Sequence, residues 1–162
     1  MIHLYIIRHA EAVERDTGGY ADEQRPLTER GQLQSQSLAK TFIARQIAVD
    51  CVVSSPLVRA MQTAHILADA WTPGCELTVC EQLAPGGKKR KLSGSLRELP
   101  GKSIALVGHE PDLSHYAAWL IGSKKARLDL TKAGIIYVRC EGDLGKGSGA
   151  LVWMLTPLWF AG

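Results

Sequence analysis

Three apolar runs, each ending in residues suited to chemistry, constrain the fold of this chain more than any other feature. Ile2-His3-Leu4-Tyr5-Ile6-Ile7 ends at Arg8-His9, Cys51-Val52-Val53 leads into Ser54-Ser55-Pro56, and Ser103-Ile104-Ala105-Leu106-Val107 ends at Gly108-His109. Continuous apolar runs of this length suit strands covered on both faces, as in a parallel sheet between helical layers. Helical patterns separate them, so the alternation predicts an α/β fold, a three-layer α/β/α sandwich with a mostly parallel central sheet. In such sheets the ligand crevice lies outside the carboxyl ends of the strands.

The remaining elements follow from local chemistry. A polar, glycine-containing loop runs from Arg8 to about Leu27, and Thr28 caps a helix with Leu33, Leu38 and Phe42 on its apolar side. Ser55-Pro56 reads as the cap and first-turn proline of a helix carrying Val58, Met61, Leu67 and Trp71. A strand is predicted over 76–80, then a Pro85-Gly86-Gly87 loop and a basic helix with Leu92, Leu96 and Leu99. Glu110-Pro111-Asp112 opens a helix that Gly122 stops. Residues 134–140 and 150–155 form an antiparallel hairpin at one edge. No linker divides the chain, and residues 1–162 are read as one domain.

Composition narrows the class of protein. Hydrophobic residues at 46% and charged residues at 22% are those of a globular domain, which excludes extended disorder. The net charge of +3 suits an anionic substrate, and basic residues are scattered except for Lys88-Lys89-Arg90-Lys91, read as the solvated start of a helix. No nucleic-acid partner is expected. Cys51, Cys75, Cys80 and Cys140 form no Cys-x-x-Cys pair, so reduced thiols are expected and no metal or other cofactor is called for. The opening run is too short for a signal peptide, and no stretch approaches the length of a membrane span. A cytoplasmic protein without membrane attachment is expected.

The strand ends deliver two arginines and two histidines to one edge. Guanidinium forks match phosphate oxygens, and neutral imidazole is a nucleophile, so the set fits phosphoryl transfer through a histidine. A lone histidine after a strand is ordinarily a loop residue. Coincidence of His9 with Arg8, Arg59 and His109 at comparable topological positions favours a phosphate pocket. His9 is the candidate acceptor, Arg59 binds equatorial oxygens, and His109 donates from the opposite side. Gly108 is a candidate carbonyl for fixing an imidazole tautomer, and Arg25, in Arg25-Pro26-Leu27-Thr28, reaches back over the same anion.

Arg8-His9-Ala10-Glu11, Ser54-Ser55-Pro56-Leu57-Val58-Arg59-Ala60-Met61-Gln62-Thr63 and Val107-Gly108-His109-Glu110 resemble the three signature regions of the histidine phosphatase superfamily, with its phosphoglycerate mutase-like fold. Chain length, the Arg25-Pro26-Leu27-Thr28 element and the C-terminal hairpin resemble the SixA branch, whose members are phosphohistidine phosphatases acting on histidine-containing phosphotransfer domains. The resemblance implies that His9 accepts the phosphoryl group and that Arg8, Arg59, His109 and Arg25 complete the pocket. It departs at Ala10, where the superfamily usually has glycine, and so implies a loop that needs no positive φ there. Larger members use a carboxylate after the third strand as general acid. Glu81 is the nearest match, with Glu11 and Glu110 as competitors.

The resemblance implies a phosphatase that hydrolyses protein phosphohistidine through phospho-His9, its partner a phosphorylated protein. Little chain between the Arg59 helix and His109 is left to form a lid, and an uncovered cleft suits a phosphorylated side chain on a protein surface. A small phosphate ester is the alternative substrate, and a non-catalytic phosphate-binding module is the alternative from another class.

Overall fold

The structure, a computed structural model, describes residues 1–71 and 76–160. Six strands form one sheet: β1 (Ile2–Arg8), β2 (Cys51–Ser54), β3 (Glu76–Val79), β4 (Ser103–Gly108), β5 (Ile135–Cys140) and β6 (Gly149–Leu155). Their spatial order is β3-β2-β4-β1-β5-β6. Strands β1 to β4 run parallel, whereas β5 and β6 are antiparallel to their neighbours and make the expected edge hairpin. Four helices cover the sheet: α1 (Glu29–Ala44), α2 (Val58–Ala70), α3 (Lys89–Arg97) and α4 (Asp112–Leu120). The fold is the three-layer α/β/α sandwich of phosphoglycerate mutase-like proteins.

Strand alternation assigns the layers. Leu4 and Ile6 of β1 face α3 and α4, packing with Leu92, Leu96, Leu113 and Tyr116. Tyr5 and Ile7 face α1 and α2, packing with Leu38, Phe42, Ala64 and Leu67. Phe42 meets Tyr5 edge-on at 5.0 Å and stacks on Trp71 at 4.5 Å, so Trp71 closes the α1–α2 layer from the end of its helix. Side chains buried this fully contribute about 1.5–3 kcal/mol each relative to exposure.

Two local expectations are corrected. Leu33 is 57% exposed, because the buried face of α1 is instead Gly31, Ser35, Leu38, Ala39 and Phe42. The helix start lies against the loop after β1, where a Cβ at Gly31 would stand 2.0 Å from the Glu11 carbonyl oxygen. Ser55 does not cap α2. That helix begins at Val58, and the Ser55 hydroxyl accepts from the Leu57 N–H ahead of it. Thr28 does cap α1, accepting from the Gly31 N–H at 3.0 Å. Lys88 to Lys91 are exposed, and Gly122 adopts the positive φ of 77° that ends α4. Cys51, Cys80 and Cys140 are buried thiols, while Cys75 lies outside the described residues. No described helix is long and apolar enough to cross a membrane.

Candidate active site

Register places the candidate residues at one level. Arg8 pairs with Gly108 across β1 and β4, the His9 N–H donates to the Gly108 carbonyl at 3.0 Å, and the Ser55 N–H donates to Val107 at 2.9 Å. His9, Ser55 and His109 therefore leave three neighbouring strands side by side. His9 and His109 border a cleft of about 470 Å³ whose walls include Arg8, Arg25, Arg59 and Lys132, and Ser55 lies buried behind them. Of the sequence-predicted residues, Arg8, His9, Arg25, Arg59 and His109 line this cleft, whereas Glu81 and Glu11 do not.

His9 is 7% exposed and held in one tautomer from both sides. Its Nδ1–H donates to the Ala10 carbonyl at 2.7 Å, which leaves the lone pair on Nε2, and the Arg59 Nε–H donates to that nitrogen at 3.2 Å. The carbonyl that fixes the ring thus belongs to Ala10, not to Gly108. Burial is the main force lowering the His9 pKa to about 3, with the charges of His109, Arg59 and Arg8 acting in the same direction. The imidazole is neutral at pH 7. Ala10 has no positive φ, and its N–H is held by Thr63 Oγ1 at 3.1 Å, so the methyl group fits the loop.

His109 is 3% exposed, with Nε2 at 2.8 Å from Ser55 Oγ and Nδ1 buried without a partner among the described residues. Burial, then the Arg59 charge, lowers its pKa to about 4. The Ser55 hydroxyl already accepts from the Leu57 N–H and has its own proton to donate to Nε2, a pairing that puts the ring proton on Nδ1. The His9 and His109 rings lie 5.1 Å apart.

The cations are positioned by different means. Arg59, at the second residue of α2 and 3% exposed, bonds through Nη1 to the Asp22 carbonyl at 2.7 Å and lies with Nη2 3.5 Å from the Asp22 carboxylate. Arg25 Nε and Nη2 both meet Asp22 Oδ1 at 2.9 Å. Arg8 Nη1 donates to the Leu130 carbonyl, and its buried Nε has no partner among the described residues. Thr63 Oγ1 donates to the Arg59 carbonyl while holding Ala10, and Gln62 accepts from Leu27 N–H. The segment after β2 therefore braces the loops around His9 as well as supplying Arg59.

The structure does not bring Glu81 to the cleft. It is exposed in the 3₁₀ turn Glu81–Leu83 and borders a separate groove beside β3, because the following loop turns Pro85 toward His9 instead. Glu11 also misses the cleft, accepting from Thr28 Oγ1 at 2.9 Å and lying 3.4 Å from Arg30. Glu110 and Glu14 do line it, and Glu110 Oε1 accepts from the Ser114 N–H. Sequence reading missed Asp22, Glu14, Arg15, Lys132 and the role of Ser55. Asp22 and Arg15 sit in a polar loop with no periodicity, and only the three-residue spacing of Asp22 from Arg25 hints at pairing.

Fold and site together define a phosphatase-type α/β hydrolase. The chain belongs to the histidine phosphatase superfamily (branch 1), which matches residues 4–84. It is 36% identical to an uncharacterized protein of Picosynechococcus sp. (strain ATCC 27264 / PCC 7002 / PR-6) over 85% of each chain. It is 25% identical to the phosphohistidine phosphatase SixA of Escherichia coli (strain K12), over 96% of this chain and 94% of that one. A structure of the protein histidine phosphatase SixA complexed with tungstate superposes with a TM-score of 0.84 at 25% identity, covering 97% of this chain and 98% of the other. Family and full-length likeness place the chain in the SixA-type branch.

Proposed function

We propose that the protein hydrolyses phosphohistidine on a partner protein through a covalent phospho-His9 intermediate. The observation that carries this reading is the fixed His9 tautomer, with its Nε2 lone pair directed to the Arg59 guanidinium in a cation-lined cleft. Nε2 attacks phosphorus in line with the leaving nitrogen, and the P–N electron pair passes to the departing imidazole, which takes up a proton. Water then attacks phospho-His9, releasing phosphate and restoring the neutral ring. Arg8, Arg25 and Arg59 offset the charge on the equatorial oxygens, and the His109 Nδ1–H donates to one of them.

The likeness to SixA over nearly the whole chain supports a protein substrate. So does the absence of a positioned acid at Glu81, since a phosphoramidate nitrogen accepts its proton more readily than an ester oxygen. A second reading, a small-molecule phosphomonoesterase, draws on Glu110 and Glu14 in the cleft wall, either of which could protonate an ester oxygen.

Rapid quenching with a labelled phosphorylated phosphotransfer domain and with labelled phosphate esters tests both readings. The expected result is base-stable, acid-labile label on His9 from the phosphoprotein, and none in His9→Ala. Full turnover by His9→Ala would overturn the mechanism, and preference for an ester would favour the second reading.

A further inference from the structure

Asp22 stands outside the cleft lining yet touches three of the arginines that form it. It does not line the cleft, but its carboxylate and carbonyl stand behind three arginines that do. Oδ1 receives Arg15 Nε at 2.9 Å and both Arg25 nitrogens at 2.9 Å, Oδ2 lies 3.5 Å from Arg59 Nη2, and the backbone carbonyl receives Arg59 Nη1 at 2.7 Å. We propose that Asp22 is the positioning residue of the phosphoryl pocket, holding Arg59 side-on to His9 while tying Arg15 and Arg25 to the same wall. The proposal deepens the functional reading and rests on His9 as phosphoryl acceptor.

Guanidinium chemistry explains the arrangement. Arg59 has five N–H groups, and its contacts with His9 and Asp22 take one on Nε and one on each terminal nitrogen. One N–H on each terminal nitrogen remains for phosphoryl oxygens. Without the carboxylate, neighbouring guanidiniums repel one another and Arg59 keeps, of its Asp22 contacts, only the bond to the carbonyl, so its terminal nitrogens pivot and the angle at which Nε meets Nε2 of His9 shifts. Burial alone would push the Asp22 carboxyl up, but the bond from Arg25, the Arg59 and Arg25 charges and the bond from Arg15 together hold it below its ordinary value. The side chain stays anionic at neutral pH, as a clamp on cations requires.

The test compares Asp22→Ala, Asp22→Asn and Asp22→Glu with the parent protein. Turnover of p-nitrophenyl phosphate and of a phosphorylated phosphotransfer domain is measured beside calorimetric binding of inorganic phosphate and thermal melting. A misplaced Arg59 should lower kcat of Asp22→Ala roughly 10²-fold. Phosphate affinity should move less than about threefold, because the cleft cations remain, and Asp22→Glu should recover most of the loss. The Arg59 Nε–H resonance, protected by His9 in the parent, should broaden or exchange faster in Asp22→Ala. The isosteric Asp22→Asn gives the same comparison should the alanine variant fail to fold.

Unchanged kcat in all variants, or parallel loss of kcat, phosphate binding and melting temperature in the asparagine variant, would overturn the proposal. The resonance reports on the clamp whether or not His9 becomes phosphorylated. Failure of the positioning role is thereby separated from failure of the functional reading.

Discussion

Ser55 shows how one buried hydroxyl serves two tasks. Fully buried, it accepts from the Leu57 N–H at 3.2 Å and lies 2.8 Å from His109 Nε2. Replacing it with alanine leaves a backbone donor and an imidazole nitrogen without their partner, at a cost of about 1–3 kcal/mol for a buried unsatisfied group. His109 then loses the contact that favours one tautomer, and rings in the other tautomer would carry a lone pair on Nδ1. Ser55→Ala should lower the melting temperature and reduce kcat/KM about 10- to 100-fold, the scale of a misplaced catalytic group. Unaltered kcat/KM alongside a lowered melting temperature would confine Ser55 to a structural role. The position of Arg8, Arg59 and His109 was legible because each follows an apolar run or begins a helix. Ser55 reads as a helix cap, since serine before proline has that local meaning and its second partner, His109, lies 54 residues away.

At the scale of elements, two helical glycines make opposite predictions. In a helix, glycine is less favourable than alanine by about 1 kcal/mol, so Gly→Ala stabilises wherever space allows. At Gly94 in α3 no atom lies within 4 Å of an added Cβ, and Gly94→Ala should raise stability by about 0.5–1 kcal/mol. At Gly31 in α1 the added carbon would stand 2.0 Å from the Glu11 carbonyl oxygen, a backbone atom next to the His9 loop. Gly31→Ala should therefore destabilise by about 1–3 kcal/mol, the range of an overpacked core, and lower activity through that loop. Urea unfolding of the two variants checks both signs, and a stable Gly31→Ala would mean that α1 can move from the loop freely. The same contact marks the limit of local pattern. Strands and helices were legible within a residue or two because period and capping are local properties, as at Thr28. The exposure of Leu33 was not, because the facing loop decides which side of α1 is buried. Nor was the insertion of β4 between β1 and β2, although the strand ends had indicated a shared edge.

The whole molecule registers the site in its acid stability. Folded His9 and His109 have pKa values of about 3 and about 4 against an ordinary 6.5, chiefly because burial penalises their charged forms. Between pH 6.5 and about 4 the unfolded chain takes up protons that the folded cleft refuses. The unfolded state binds more protons in that window, so stability rises with pH there and falls on acidification. Each ring contributes a slope of up to about 1.4 kcal/mol per pH unit, which ends for His109 near pH 4 and for His9 near pH 3, where the folded rings protonate as well. Asp22 and Asp50 act in a different window. Their pKa values are depressed in the fold, by the arginines for Asp22 and by the Lys102 and Ser103 N–H groups for Asp50, so their contribution is complete above the ordinary 3.8 and lost below it. Urea unfolding at pH 7, 6, 5 and 4.5 should therefore show a steady fall attributable to the two imidazoles. In a His9→Asn/His109→Asn variant the slope over this range should flatten, whatever its stability at pH 7. An unchanged slope would show that the two rings titrate alike in the folded and unfolded chain, and would remove the basis for a nucleophile kept neutral by its surroundings.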